Sequence, residues 1–228
     1  MADSTIKKTL LSQELARLRK DFSDAPGKGR ATPLDAFNVA ARDWIDGKRI
    51  DVGRIADELG VGRATVFRWV GSREQLIGEV IWSLCIVLWR DSVKHAKGTG
   101  ADYVADLSHR VMDGILAADP LRRFLEQDPE FALRILTSKS SIVQARIVEE
   151  TAKVLRELEA AGHIKPAVDV DSLAYLLVRV VESFTYSDQI TGRQPNIEIA
   201  REAIRILVAA EPRSGAEKKI QALDGNFT

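Results

Sequence analysis

The 228-residue chain has a single cysteine, Cys85, so no internal disulfide can form and no secreted, cross-linked scaffold is implied. Cys85 sits in the apolar stretch Ile81 to Trp89, where a small buried thiol is the expectation rather than a redox sensor. Three histidines, His95, His109 and His163, stand too far apart for metal-ligand spacing. There is no Gly-rich phosphate loop, no His-Glu-x-x-His and no nucleophile elbow, so an enzyme is not expected and no cofactor or metal is implied. No apolar run is long enough to span a bilayer, and Met1 to Lys20 is too charged for a signal peptide, so the expectation is a cytoplasmic protein without a membrane partner. The formal net charge is +0, which removes any argument for nucleic acid from overall basicity and turns attention to local charge. Strand-like alternation is absent as well.

Helical punctuation is abundant. Thr32-Pro33 is a cap followed by proline at the first helical position. Leu34, Phe37, Ala40, Ala41, Trp44 and Ile45 then follow helical spacing up to Gly47. Asp51 opens a short helix that ends at Gly60, and another runs from about Arg63 to Val70. Ser72-Arg73-Glu74-Gln75 has the capping-box pattern and starts a fourth helix, which extends toward Lys97. Further helices are expected from Thr99 or Gly100 to Ala118, after Asp119-Pro120, after Asp128-Pro129, over Lys139 to Ala161, from Ser172 to about Asp188, and from a turn at Gly192 to Pro195 up to Ala209 or Ala210. The fold class is therefore all-α. The expected organisation is an N-terminal extension (1–31), a helix-turn-helix domain (32–75), a ligand-binding and dimerisation domain (76–211) and a polar tail (212–228). In the extension, Leu11, Leu15, Leu18 and Phe22 share a helical face. An extra helix docked on its own domain or on a neighbouring subunit is the expectation, and a basic arm on DNA phosphate is the alternative.

The segment Asp51 to Val70 has the physics of a helix-turn-helix. Ile55, Ala56 and Leu59 form the apolar face of its first helix, and Ala56 is small where two helices cross closely. Gly60 permits the left-handed backbone of a tight turn. Val61 fills the space between the helices, and Val66 and Val70 anchor the second helix from inside. Arg63, Ala64, Thr65, Arg68 and Trp69 are left toward the outside. Such a helix fits the major groove with its N-terminal residues at base edges. Lys48, Arg49, Arg54, Arg63, Arg68 and Arg73 concentrate positive charge here. An ordinary helical pair with solvated arginines is the competing interpretation.

The run Arg63-Ala-Thr-Val-Phe-Arg-Trp-Val-Gly-Ser-Arg-Glu-Gln-Leu76 resembles the TetR family of bacterial regulators, and the match extends over about Pro33 to Val80. The resemblance implies a homodimer, a three-helix DNA-binding domain, a palindromic double-stranded operator, and release by a small-molecule effector. It implies base or phosphate contacts by Thr65 with Arg63 and Ala64, aromatic motif positions at Phe67 and Trp69, and a phosphate-gripping Arg73 at the start of the linking helix; Arg54 and Arg68, from the local cluster of positive charge, complete the expected DNA contacts. Two departures stand out. Phe67 replaces a common tyrosine and loses its hydroxyl, and Val70 replaces a common phenylalanine and offers a smaller core contact. The wording from Arg68 to Trp82 is also similar to the QsdR-type subgroup, associated with regulating quorum-signal lactone degradation.

For the effector, an apolar pocket with a few polar anchors is expected. Candidate residues are Trp89, Tyr103, His109, Met112, Phe124 and Phe131, with Arg179, Glu182, Ser183 and Tyr186 on the apolar helix from Ser172 to Asp188; each aromatic or aliphatic member is equally a core residue. Tyr175, Arg179, Glu182 and Tyr186 recur at helical spacing, and Arg179 and Glu182, one turn apart, can pair. This stripe has three readings: a cavity lining, a dimer interface or a solvent face. The resemblance places the last two helices at a dimer interface. The functional expectation is a ligand-responsive repressor freed from DNA by a small apolar effector, a lactone or acyl compound. A helical binding module, or an activator without ligand-induced release, is the alternative.

Overall fold

The computed structural model describes residues 30–138, 140–186 and 196–210. The expected helix within 1–31, the Gly192 to Pro195 turn and the polar tail lie outside them. Among the described residues there are ten α-helices and no strand, which establishes the all-α class: α1 (Pro33–Ile45), α2 (Val52–Leu59), α3 (Arg63–Val70), α4 (Arg73–His95), α5 (Gly100–Leu116), α6 (Asp119–Gln127), α7 (Pro129–Thr137), α8 (Ile142–Ala160), α9 (Val170–Thr185) and α10 (Ile197–Ala209). They form two compact units. The first contains Met1–Asp91 and Asp113–Ala145, the second Ser92–Met112 and Arg146–Thr228. The expected line at 75/76 thus runs inside the first unit, which also takes in a segment remote in sequence.

In the first unit, Thr32 caps α1 reciprocally with Asp35. Thr32 Oγ1 accepts the Asp35 N–H at 3.3 Å, and Asp35 Oδ2 accepts the Thr32 N–H at 2.7 Å. Pro33 occupies the first turn, where a missing N–H costs nothing. Helix α1 buries Ala36, Val39, Ala40 and Trp44. Asp51 caps α2 by accepting the Arg54 N–H at 2.8 Å. Gly60 ends α2 at φ +65°, a conformation that costs an L side chain about 1–2 kcal/mol. That turn lets Val61 N donate to Ala56 O at 3.0 Å and sets α3 against α2 and α1. Ile55, Ala56 and Val66 form the fully buried centre of the three-helix head.

Ser72 and Gln75 close the second capping box. Gln75 Oε1 accepts the Ser72 N–H at 2.8 Å, and Ser72 Oγ accepts the Gln75 N–H at 3.1 Å. Helix α4 then buries Leu76, Ile77, Val80 and Ile81. Helices α6 and α7 complete the unit through an edge-to-face aromatic chain. Trp44 meets Phe124 with ring centroids 4.8 Å apart, and Phe124 meets Phe131 at 5.9 Å. Asp128 caps α7 on the Phe131 N–H, but Asp119 does not cap α6. Ala118 takes the cap position, and the Asp119 carboxylate lies 2.8 Å from Arg122.

The second unit is centred on Leu155, Leu173, Leu177, Ile204 and Val208, from α8, α9 and α10. Asp169 caps α9 on Ser172, and Asn196 caps α10 on Ile199. The Tyr103 hydroxyl donates to Val93 O at 3.1 Å. Ile164 and Pro166, in the α8–α9 connector, are buried.

Candidate nucleic-acid interface

Helix α3 has two unlike faces. Val66 is completely buried, while Arg63, Ala64, Phe67 and Arg68 are exposed and Thr65 and Trp69 are half-buried. One wholly buried position on an eight-residue helix leaves most of its circumference for something else. Phe67, 45% exposed, is an aromatic ring turned away from its own core. Gly62 precedes the helix without a side-chain cap, so no side chain covers the N-terminal N–H groups that point along the helix axis. The Arg63 guanidinium lies over Gly53 of α2, where even a methyl group would crowd it. The structure therefore brings Arg63, Ala64, Phe67 and Arg68 onto one exposed face, with Thr65 and Trp69 at its edges.

Arg54 and Arg73 are engaged within the unit. Arg54 forms ion pairs with Asp43, fully buried in α1, and with Glu58 at 3.2 Å. Glu58 also accepts from Arg42 at 2.7 and 2.9 Å, so a chain of alternating charge joins α1 to α2. Arg73 Nε donates to Ile50 O at 2.8 Å, and its guanidinium sits 5.0 Å from the centre of the Phe131 ring. Burial and the neighbouring Arg49 charge push the Arg73 pKa below its ordinary value. Sequence reading missed Asp43 and the Ile50 carbonyl. An acid amid the apolar positions of α1 was the one available signal for the first; a backbone carbonyl gives none.

The residues expected at a ligand are divided between the two units. Trp89 is buried in the first unit, where Phe124 and Phe131 stand side by side. The second unit holds Met112, fully buried, and His109, whose Nε2 is 2.8 Å from Glu198. Burial and the Glu157 charge raise the Tyr103 phenol above its usual range. On α9, Arg179 Nη1 lies 2.6 Å from Glu182 Oε2, Ser183 is exposed, and Tyr186 is buried just past the helix end. Burial, opposed by Arg179, pushes the Glu182 carboxyl up to about 7. Burial also pushes the Cys85 thiol up to about 12, leaving it protonated near neutral pH. Among the described residues no cluster of His, Cys, Asp and Glu can hold a metal ion, and no helix is long and apolar enough to cross a membrane.

A glycine-gated pair of short helices, backed by a first helix and followed by a larger helical body, defines a helix-turn-helix transcriptional regulator. The family model of the tetracyclin repressor-like C-terminal domain matches residues 99–209. The structure is similar to that of the Rhodococcus erythropolis transcriptional repressor QsdR from the TetR family, with 26% identity, a TM-score of 0.73, and coverage of 79% of this chain and 96% of that one. A Rhodococcus sp. protein assigned to the same family aligns over 78% of this chain and 96% of its own, at 19% identity and a TM-score of 0.45. No curated protein matches the chain. Both likenesses, a family-model match over residues 99–209 and a solved repressor at 26% identity, are to TetR-family transcriptional regulators.

Proposed function

We propose that this protein is a ligand-responsive repressor that binds a palindromic operator as a homodimer and leaves it when a small apolar effector binds. The observation that carries the reading is the exposed face of α3, where Arg63, Ala64, Phe67 and Arg68 surround a helix anchored by Val66. In this reading α3 enters the major groove. Arg63, Ala64 and Thr65 meet base edges or adjacent phosphate, Arg68 meets phosphate, and Phe67 and Trp69 pack against the backbone sugars. Arg54 and Arg73 act mainly by holding the head together, and their remaining N–H groups reach phosphate only at its margin. Similarity to a protein described as a repressor supports the sign of regulation.

The homodimer is supported by apolar exposure on the last two helices. Tyr175 and Leu176 on α9, and Ile199, Ile206 and Leu207 on α10, are all exposed. Five large apolar side chains left in water on two packed helices fit a self-complementary helical interface. The effector is proposed to be a lactone or acyl compound, as the QsdR-like wording suggests. Arg179, Glu182 and Tyr186 are its proposed polar anchors.

Gel shifts with DNA from the upstream region of the protein's own gene test the central claim. Thr65→Ala and Arg63→Glu, both folded by circular dichroism, are expected to weaken sequence-specific retention by roughly 1–3 kcal/mol each. Wild-type retention in both would refute α3 as the reading helix. A thermal-shift screen of γ-lactones, acyl homoserine lactones and fatty acids addresses the effector, since a ligand of the native state raises Tm by mass action.

A further inference from the structure

We propose that the first unit contains an anion-binding cavity, between the α1–α2 connection and helices α6 and α7, that takes a small monocyclic aromatic carboxylate. The cavity has a volume of about 140 Å³ and is lined wholly by residues of that unit. A cavity of about 150 Å³ accommodates benzene, so the space suits one six-membered ring and little more.

The lining divides by chemistry. Trp44, Phe124 and Phe131, already joined edge to face, supply aromatic wall, and Ile50, Ile77 and Pro120 supply aliphatic wall. The rest is dominated by cations: Lys48, Arg49, Arg73 and Arg123. The lone carboxylate of the lining, Asp128, already accepts the Phe131 N–H at 3.1 Å. Lys48 is 3.2 Å from Asp46. Among the described residues no carboxylate lies within ion-pair distance of Arg49, Arg73 or Arg123.

Arg49 and Arg73 repel each other across this space, with Arg123 on its wall. Burial first, and then the Arg49 charge, lower the pKa of Arg73, while Glu74, Asp51 and Asp128 act in the opposite direction. A bound carboxylate reverses that repulsion and accepts charge-assisted hydrogen bonds from planar donors built for it. Arg73 is fixed for this role, because its Nε is held by Ile50 O and its plane by Phe131. Arg123 is brought in by the end of α1, where its side chain packs directly on Gly47 at φ +71°. A neutral arene would leave the guanidinium groups unanswered, and inorganic sulfate would leave the aromatic wall empty. The site does not depend on the DNA reading, since every residue argued from lies off the exposed face of α3.

The test uses the full-length protein and benzoate as the probe. Benzoate binding is followed through the Trp44 indole N–H resonance, assigned by its loss in Trp44→Phe. A saturable shift is expected, weakened at least about tenfold in Arg49→Ala/Arg123→Ala, where two charge-assisted contacts are lost. Both arginines are exposed, so the double variant should keep its fold; if it does not, Arg123→Glu alone supplies the same comparison. Benzyl alcohol and sulfate are each expected to bind at least about tenfold more weakly than benzoate. A Trp44 resonance unmoved by millimolar benzoate would overturn the proposal. So would unchanged binding in the arginine variants, or equal binding of benzyl alcohol.

Discussion

Glu182 gives the second unit a pH dependence opposite to that of most carboxylates. Its side chain is 12% exposed on the apolar helix α9, with Arg179 Nη1 2.6 Å away. Burial outweighs that partner and lifts the carboxyl from 4.5 to about 7. Between these values the folded state holds a proton that the unfolded chain has released, so stability falls as pH rises through the interval. At 1.36 kcal/mol per pKa unit the full effect above pH 7 is about 3 kcal/mol, reduced to about 2–3 by residual solvent exposure. Glu182→Gln removes the titration while keeping the shape. Urea denaturation at fixed protein concentration should find the variant more stable than wild type by about 2–3 kcal/mol at pH 8, with most of that gap closed near pH 5. In melting experiments the pH 8 gap should read as roughly 5–10 °C for a chain of this size. Removing the opposing charge with Arg179→Met should move the wild-type transition to higher pH. A gap that stays constant with pH, or widens toward acid, would refute the argument.

Arg54→Met should strand the buried Asp43 carboxylate and cost about 3 kcal/mol in urea unfolding, and adding Asp43→Leu should recover most of it, because removing both charges leaves nothing unpaired. Thr32→Ala breaks the α1 capping box and should cost about 1 kcal/mol, read from the same denaturation curves. Gly60→Ala meets open space but must still adopt φ +65°, so a loss of about 1–2 kcal/mol is expected from the backbone alone, and a neutral result would mean the turn has relaxed.

Local chemistry was legible in the sequence. Thr32-Pro33, Asp51, Gly60 and Ser72 to Gln75 all act within one helical turn, and each marks a boundary where expected. Boundaries became less legible where two caps competed. Asp119-Pro120 has the pattern of a cap followed by a first-turn proline, but the Asp119 carboxylate has Arg122 within reach and Ala118 takes the cap position. Helix α8 begins at Ile142, after the Ser141 hydroxyl accepts the Gln144 N–H, and not at Lys139. The charges were hardest to place, because their partners are remote. Arg54 answers to Asp43, Arg73 to Ile50 and Phe131, and His109 to Glu198, 89 residues away. A basic residue near a helix-turn-helix carries no local mark telling whether it faces outward or ties its own domain together. On α3 the sequence pattern places Val66 inside and Arg63, Ala64 and Arg68 outside, as found, but it leaves Phe67 off the outer face and counts Val70 as an inner anchor, whereas Phe67 is exposed and Val70, like Thr65 and Trp69, is only half-buried.

The aromatic chain from Trp44 through Phe124 to Phe131 bears on how the protein can be cut and recombined. It makes residues 113–145 part of the same compact unit as the three-helix head, although more than twenty residues of the other unit intervene in sequence. The chain leaves or re-enters this unit within α4, α5 and α8, at helical positions with no flexible loop to sever. A graft ending at residue 91 would carry Trp44 and Arg73 away from their ring partners. Transplanting this head onto another helical body therefore calls for two inserts, the second spanning α6 and α7, with three junctions spliced in helical register.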